Sequence, residues 1–246
     1  MTPLSVFLGY DPREHDAYNV AQWSIIRRSS QPVLVSPLYL PHLTHVMTRH
    51  IQRTKTPGQQ PEFSLWCPIS EAPMSTEFAN SRFCVPFVQE SGWALFADCD
   101  VLCLGDISDL FALADERYAV MVVKHNYQPD RATKMDGQIQ TQYNRKLWSS
   151  VVLWNCSHTA HRRLTRERLN NWPGRDLHAF KWLEDDEIGD LPPEWNHLVG
   201  IDPIIKAPQL LHFTLGGPWF PDSLDCGYNY LWLAERDSMK SEMVMV

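Results

Sequence analysis

Two aspartates one residue apart, Asp98 and Asp100, follow the apolar run Trp93–Ala97 (WALFA). A continuous apolar run of this length predicts a central strand that is buried on both faces. Open parallel sheets bind ligands at the carboxyl ends of their strands. Two carboxylates at that edge can hold a hard cation that also binds the phosphates of a substrate. A solvated turn after a strand is the other interpretation of this spacing.

A second candidate ligand, His212, lies near the end of the predicted strand Gln209–Phe213 and precedes Gly216 and Gly217. Imidazole is a good ligand for Mn, Fe or Zn, while carboxylates suit Mg or Mn. The two glycines allow the backbone to approach a ligand closely. The alternative for His212 is a hydrogen-bonded histidine of the core.

Two further charged features could carry chemistry. Arg82 lies on a predicted helix over Thr76–Glu90 that is disturbed at Pro86, and it could bind a phosphate or a carboxylate bidentately. The run Glu184–Glu187 places four carboxylates in a row between two tryptophans. A solvated surface is the competing explanation for both features.

The elements that must position these residues begin with a β-α-β unit. Strands are predicted at Leu4–Gly9 and Val33–Val35, with an amphipathic helix over His15–Arg28 between them. Such a unit opens a parallel sheet. Further strands are predicted at Ala119–Val123 and Ser150–Leu153, and further helices at Ile107–Leu113, His158–Asn171 and Leu177–Leu183. Segment 37–73 is expected to be mostly loop, with one strand candidate at Phe63–Trp66, and segment 124–148 to be irregular.

The composition limits the class of protein and the partners that it can bind. The 246 residues are 44% hydrophobic and 21% charged, as in soluble globular proteins, and they predict one α/β domain over residues 1–246. The 22 Lys and Arg against 29 Asp and Glu leave a net charge of −7, so nucleic acid is not an expected partner. If the ligand is a phosphate ester, a bound divalent cation is one way to offset this negative field. The ten tryptophans either belong to the core or line a pocket for ringed ligands.

The six cysteines form no C-x-x-C pair, and none stands in zinc-finger spacing with a histidine. The N-terminal residues lack the basic region and the long apolar run of a signal peptide. No window approaches the ~18 apolar residues of a transmembrane span. These features predict a cytoplasmic protein with reduced thiols.

Seven stretches, in order along the chain, resemble the retaining glycosyltransferases of family 8 and their bacterial relatives. They are FLGYD (7–11), FANSRF (78–83), WALFADCDVLCLGDI (93–107), LWSSVVLWN (147–155), WLEDDEIG (182–189), LPPEWN (191–196) and LLHFTLGGPW (210–219). The resemblance implies the GT-A fold, which is Rossmann-like, with a mostly parallel central sheet flanked by helices in a single domain. It implies transfer of a sugar from a nucleotide-sugar donor, commonly a uridine diphosphate (UDP) sugar, to an acceptor hydroxyl of a glycan or other molecule. The anomeric configuration is retained.

The resemblance also assigns roles to individual residues. Mn²⁺, or Mg²⁺, would be bound by Asp98, Asp100 and His212. The donor would be bound by Tyr10, Asp11, Arg82, Asp98, Ser149, Ser150, Thr214, Gly216, Gly217 and Trp219. Asp185 and Asp186 would be the catalytic residues beside the transferred sugar.

The chain departs from the family pattern at three places. Gly217 stands where the family often has a lysine that contacts the diphosphate, so that Arg13, Lys124, His125 or Arg145 would have to replace that charge. Trp148–Ser150 stands where the family has an Asn-Ala-Gly turn, and Asp185-Asp186 where it has an Asp-Gln pair.

Two other functions fit parts of the sequence. A phosphatase of the haloacid-dehalogenase type also has an Asp-x-Asp after an apolar strand, but that motif normally opens the chain, whereas 97 residues precede Asp98 here. A non-catalytic carbohydrate-binding protein could use tryptophans as platforms for sugar rings, but such modules are mostly β-sandwiches and this chain opens β-α-β.

Overall fold

The computed structural model describes residues 2–55, 63–126 and 145–244. The strands in these residues are β1 (Leu4–Gly9), β2 (Val33–Leu38), β3 (Gln52–Lys55), β4 (Phe63–Cys67), β5 (Ala72–Met74), β6 (Trp93–Ala97), β7 (Val101–Cys103), β8 (Val120–Val122), β9 (Val151–Asn155), β10 (Ile188–Asp190), β11 (His197–Leu198) and β12 (Leu210–His212). The α-helices are α1 (His15–Arg28), α2 (Val85–Val88), α3 (Ile107–Phe111), α4 (Arg166–Asn171), α5 (Gly174–His178) and α6 (Asn229–Val244).

The largest sheet has six strands in the order β10-β8-β9-β6-β1-β2. All pairs in it are parallel except those of β9, which runs antiparallel to both β6 and β8. The central strand β6 is apolar along its length because residues from both faces are covered by the core. The predicted α/β class with a mostly parallel sheet is confirmed.

A small second sheet lies beside the first and brings the site together. In it β12 pairs parallel with β11 and antiparallel with β7. Strand β7 starts directly after Asp100, so the chain passes from the large sheet to the small one at the two aspartates. Phe213 and Trp232 pack into a core under this sheet, which fastens helix α6 to it.

Segment 37–73 contains more structure than the sequence predicts. Strands β3, β4 and β5 form an antiparallel sheet, so the prediction of a loop with one strand is wrong for Gln52–Lys55 and Ala72–Met74. Strand β3 consists of four exposed residues, and β5 contains a proline, so neither shows the apolar alternation that indicates a strand. Residues 56–62 lie outside the described residues, as do residues 127–144 of the predicted irregular segment.

Three predicted helices are broken or largely lost, and a fourth, predicted over Ile107–Leu113, ends at Phe111. The helix over Thr76–Glu90 is reduced to a 3₁₀ turn and helix α2, with Pro86 in the first turn of α2, where a missing N–H costs nothing. The helix over His158–Asn171 is interrupted between a 3₁₀ turn and α4, which begins at a new cap, Thr165. The helix over Leu177–Leu183 is also wrong, because α5 ends at His178.

The tryptophans mostly serve the core. Trp154 and Trp182 are buried and stack with ring centroids 6.4 Å apart, and Trp232 and Trp195 are buried as well. All six cysteines lie in the described residues, and none of them forms a disulfide there. Among the described residues, no helix combines the length and the apolar character that crossing a bilayer requires.

Candidate metal and nucleotide-sugar site

Asp98, Asp100 and His212 meet at the boundary between the two sheets. Each of the three offers one ligand atom, and these atoms lie within 4.8 Å of one another. Among the described residues, this is the one group of three or more such side chains that could hold a metal ion. The imidazole Nε2 of His212 is 3.2 Å from Oδ1 of Asp100 and 4.0 Å from Oδ2 of Asp98. The structure therefore brings together the three residues that the sequence analysis assigned to the metal.

Backbone hydrogen bonds fix the positions of the three residues. The N–H of Asp98 donates to the carbonyl of Ser150 (2.9 Å), which extends the β6–β9 ladder beyond the last residue of β6. The N–H of Phe213 donates to the carbonyl of Asp100 (2.8 Å), which extends the β7–β12 ladder in the same way. The carboxylates and the imidazole are thus held by two sheets, although 112 positions separate Asp100 from His212.

Arg82 binds Asp98. Its guanidinium is buried, lies 2.8 Å from Oδ1 of Asp98, and also donates to the carbonyls of Ser149 and Ala79. Its Cζ lies 5.1 Å from the ring centre of Phe96, close enough for a cation–π interaction. Arg82 is therefore paired with Asp98, a candidate metal ligand, and any contact between Arg82 and the donor stays a prediction.

Three acidic side chains, those of Asp98, Asp100 and Glu14, lie here with two basic ones, those of Arg82 and His212. Burial raises the pKa of Asp98 to about 6, although Arg82 opposes the shift. Burial also raises the pKa of Glu14 to about 8, and the charge of Asp100 adds to the effect. Burial alone would lower the pKa of His212, but the Asp100 carboxylate reverses this and raises it. Unfavourable burial of several carboxylates is relieved by a cation.

The donor set suits a divalent cation such as Mn²⁺ or Mg²⁺. Carboxylates are preferred ligands of Mg²⁺ and Mn²⁺, and imidazole is a good ligand for transition-metal ions. Oδ1 of Asp100 and Nε2 of His212 are buried, and neither has a hydrogen-bond partner of good geometry among the described residues. Buried polar atoms are normally hydrogen-bonded. These two lie 3.2 Å from each other, and a cation bound by both would satisfy them. The residues therefore fit the cation that the resemblance implies.

Tyr10 and Asp11 follow β1, at the same edge of the large sheet as Asp98, because β1 and β6 are parallel. The Asp11 carboxylate is 1% exposed, pairs with Arg13 at 2.5 Å and accepts the N–H of Glu77. The Tyr10 ring packs edge-on against Tyr18 and Tyr39 and its hydroxyl contacts His15. Asp11 thus has a structural role in the loop, and base binding by either residue stays a prediction.

The hydroxyls of Ser149 and Ser150 are both hydrogen-bonded within the protein. Ser149 Oγ is 2.7 Å from Nδ1 of His178, and Ser150 Oγ donates to the carbonyl of Leu147 (2.8 Å). Both serines are buried, and they follow Leu147, which has a left-handed backbone (φ 67°). Donor binding by these serines stays a prediction.

The segment after β12 forms the turn that the glycines predict. Gly216 has a φ of 104°, which favours glycine, and a Cβ on Gly217 would meet the ring of Trp219 at 2.0 Å. The N–H of Gly216 donates to the carbonyl of Phe213 (2.7 Å), and donor binding by Gly216 and Gly217 stays a prediction. Thr214 lies in the same turn, and Trp219 packs between Phe213 and Trp232.

Asp185 and Asp186 lie outside the cluster. They belong to a 3₁₀ turn, Asp185–Glu187, that leads into β10, a strand parallel to β6 and β8. Across the sheet, Ile188 at the start of β10 is level with Ala94, near the start of β6. Asp185 is 93% exposed and pairs with Arg145 at 2.5 Å. The two aspartates thus precede their strand, whereas Asp98 and Asp100 follow theirs, and the catalytic role of Asp185 and Asp186 stays a prediction.

The four side chains that could replace the missing lysine differ in their charge and in the ion pairs that they already make. Arg13 is paired with Asp11, and Arg145 with Asp185 and the carbonyl of Ala179. Burial lowers the pKa of His125 to about 4, so this side chain carries no charge at neutral pH. Lys124 pairs at 3.1 Å with a largely exposed carboxylate, that of Asp190. Lys124 is therefore the cation of these four that a phosphate could recruit most easily.

Two residues of the site were missed in the sequence. Asn196 is fully buried, and its Oδ1 is 2.9 Å from Nδ1 of His212. It belongs to LPPEWN, one of the stretches that carry the resemblance, but nothing in its spacing indicates a contact with His212. Glu14 accepts a hydrogen bond from the thiol of Cys99 (3.1 Å), between the two aspartates. Glu14 belongs to the connection between β1 and α1, and its contact with Cys99 is visible only in the folded structure.

Comparison with solved structures shows which fold the molecule has. The chain superposes on the bifunctional glycosyltransferase WbbM with a TM-score of 0.62 at 15% identity, covering 96% of this chain and 50% of WbbM. It superposes on the glycosyltransferase GlyE of Streptococcus pneumoniae with a TM-score of 0.60 at 15% identity, covering 99% of this chain and 64% of GlyE. The galactosyltransferase LgtC, solved with donor and acceptor sugar analogues, gives a TM-score of 0.55 at 12% identity, with 96% of each chain covered. The predicted GT-A fold is confirmed, and this chain spans about half of WbbM and about two thirds of GlyE.

A curated relative gives the family. The chain is 42% identical to Protein CDI of Arabidopsis thaliana, over 98% of this chain and 88% of that protein. The chain therefore belongs to the same family as Protein CDI. No protein-family model matches the chain.

Proposed function

We propose that this protein is a metal-dependent glycosyltransferase related to family 8. In this proposal it moves a hexose from a UDP-sugar to an acceptor hydroxyl, on a glycan or another molecule, with retention of the anomeric configuration. The observation that carries the proposal is the meeting of Asp98, Asp100 and His212 at the sheet edge where α/β folds bind ligands, within a GT-A fold. We further propose that one domain carries the activity, and that it works in the cytoplasm, where its six free thiols stay reduced.

The chemistry follows from the leaving group. Breaking the bond between the sugar and the diphosphate builds negative charge on phosphate oxygens and positive charge on the anomeric carbon. A bound Mn²⁺ or Mg²⁺ supplies Lewis-acid stabilisation of the diphosphate without a proton transfer. Asp98, Asp100 and His212 would hold the cation, and Arg82 holds Asp98 in place through its ion pair of 2.8 Å. Lys124 is our candidate for the phosphate contact that Gly217 lacks.

Retention is proposed to arise by displacement on one face of the sugar. The bond from the anomeric carbon to the phosphate oxygen breaks, and the bond from that carbon to the acceptor oxygen forms on the same face. The proton of the acceptor hydroxyl passes to the leaving phosphate oxygen. This route needs no covalent sugar adduct on Asp186, a role that we consider the less favoured alternative.

A binding screen tests the proposal. Thermal unfolding is measured with the diphosphates of uridine, guanosine, cytidine, thymidine and adenosine, each with Mn²⁺ or with a chelator. A nucleotide at 100 times its Kd adds about 2.7 kcal/mol to the unfolding free energy, which corresponds to roughly 5–10 °C for a chain of this size. We expect a Mn²⁺-dependent shift with uridine diphosphate.

Other outcomes of the screen point to the alternatives. The absence of a shift with every nucleotide would contradict the proposal. Release of phosphate from phosphomonoesters, with trapping of an aspartyl adduct by beryllofluoride, would indicate the phosphatase. Glycan binding that survives chelation, without nucleotide affinity, would indicate a carbohydrate-binding protein.

The predicted role of Asp185 has its own test. We expect Asp185→Asn to lower the rate of sugar transfer while the affinity for uridine diphosphate stays at the wild-type value, because the side chain would contact the sugar and not the nucleotide. Asp185 is the exposed partner of its ion pair with Arg145, so loss of the pair changes the unfolding free energy by no more than about 1 kcal/mol. Asp237→Asn is the matched control, since Asp237 is also exposed and pairs with its own arginine at 2.7 Å. Unchanged transfer by Asp185→Asn would remove it from the sugar site.

A further inference from the structure

A directed chain of hydrogen bonds runs from a backbone carbonyl to His212. The carbonyl oxygen of Leu147 accepts from the hydroxyl of Ser150, with 2.8 Å between the oxygens. A carbonyl can only accept, so the single hydroxyl proton of Ser150 points at Leu147. Ser150 Oγ then has only lone pairs to offer to its next neighbour.

That neighbour is the side-chain amide of Asn196, whose Nδ2 lies 3.0 Å from Ser150 Oγ. Because the hydroxyl proton is already used, the amide must donate here, which assigns its nitrogen to Ser150 and its oxygen to the other side. The oxygen lies 2.9 Å from Nδ1 of His212 and has no proton, so Nδ1 of His212 must carry one. The neutral imidazole, which is the form that binds a metal, has a single N–H. When Nδ1 carries that proton, the lone pair of Nε2 lies on the side of Asp98 and Asp100 and can bind a cation there.

We propose that Asn196, oriented by Ser150, is a positioning residue that holds His212 as a metal ligand through Nε2. The inference rests on the proposed function, because it presupposes a cation on Asp98, Asp100 and His212. Histidines that bind metals commonly donate their other N–H to a fixed oxygen, and loss of that partner typically weakens metal affinity by about 10–100-fold.

The hydrogen bonds of this chain are shielded from water. Asn196, Ser150 and His212 are all nearly or completely buried, so water does not readily replace a lost partner. The three residues come from separate segments: the turn before β9, the turn before β11 and the end of β12. Leu147 itself is held in a left-handed conformation, φ 67°, that non-glycine residues rarely adopt. The hydrogen bond to Nδ1 of His212 therefore depends on three separate segments and on the left-handed backbone of Leu147.

The test measures binding of Mn²⁺ alone to the full chain, by electron paramagnetic resonance of the free ion, together with urea unfolding in chelator. Asn196→Leu removes the acceptor and is expected to weaken Mn²⁺ binding by about 10–100-fold. Asn196→Asp keeps an acceptor for Nδ1–H and is expected to bind Mn²⁺ within a few-fold of wild type. Asn155→Leu is the matched control, because Asn155 is equally buried but lies at the opposite end of β9 and bonds Glu116. It is expected to lose stability without losing Mn²⁺ affinity.

A smaller change gives the same information if Asn196→Leu does not fold. Ser150→Ala frees the amide to rotate and to present its nitrogen to Nδ1, which moves the ring proton to Nε2 and blocks the metal. We expect about tenfold weaker Mn²⁺ binding, the lower end of the same range. Wild-type affinity in Asn196→Leu or in Ser150→Ala, or equal loss in Asn196→Asp and Asn196→Leu, would overturn the positioning role and leave the metal site standing. A wild-type chain that does not bind Mn²⁺ would overturn both this inference and the proposed metal site.

Discussion

Asp100→Asn is expected to abolish Mn²⁺-dependent binding of uridine diphosphate. The substitution keeps the shape of the side chain and removes one of two carboxylates in a three-ligand set. Where a cation neutralises most of the charge of a diphosphate, loss of one ligand costs several kcal/mol, and about 3 kcal/mol already corresponds to roughly a hundredfold in Kd. The measurement is isothermal titration of uridine diphosphate into each variant, with Mn²⁺ and with chelator.

Two companion variants make this result specific. His212→Phe keeps a ring of similar size and removes both nitrogens, so it should lose Mn²⁺-dependent binding as Asp100→Asn does. Glu90→Gln is the control: Glu90 is an exposed carboxylate just before β6, at the opposite end of that strand from Asp98. It should bind uridine diphosphate as wild type does. Wild-type Kd values in both Asp100→Asn and His212→Phe would contradict the assignment of the site.

The elements that the sequence predicts best are those whose residues agree with their surroundings. Leu4–Gly9, His15–Arg28 and Trp93–Ala97 are found with the predicted bounds. Each is apolar where it meets the core, so local pattern and burial give the same answer. Strand β3 is the opposite case: its four residues are exposed, and only pairing with β4 makes them a strand. Tertiary pairing of this kind leaves no periodic signal in the sequence.

The site divides along similar lines. The sequence indicates Asp98 and Asp100 through their place after a buried strand, but it offers several partners for Arg82, and only the fold shows that the partner is Asp98. Asn196 and Ser150 are 46 positions apart and both are polar residues in turns, where such residues are common. They meet because the turn before β9 lies against the turn before β11 in the fold, and the spacing of the residues in the sequence does not predict this contact.

Arg82→Met is expected to lower the unfolding free energy by about 3–5 kcal/mol, because it leaves a buried carboxylate without its partner. Asp98 lies against Asp100 as well as Arg82, and burial already raises its pKa to about 6 with the guanidinium in place. The measurement is urea unfolding in chelator, so that no cation substitutes for the lost charge.

A double-mutant cycle separates the ion pair from the other contacts of Arg82. Addition of Asp98→Asn to Arg82→Met should recover most of the loss, because the carboxylate that needed the guanidinium is then gone. A deficit of about 1–2 kcal/mol relative to Asp98→Asn alone should remain, since Arg82 also donates to the carbonyls of Ser149 and Ala79. Arg117→Met is the control for an exposed pair: it breaks the ion pair with Asp115, at 2.6 Å, and should leave the unfolding free energy close to the wild-type value. If the double variant is no more stable than Arg82→Met, then Arg82 supports the fold through its packing and carbonyl contacts and not through Asp98.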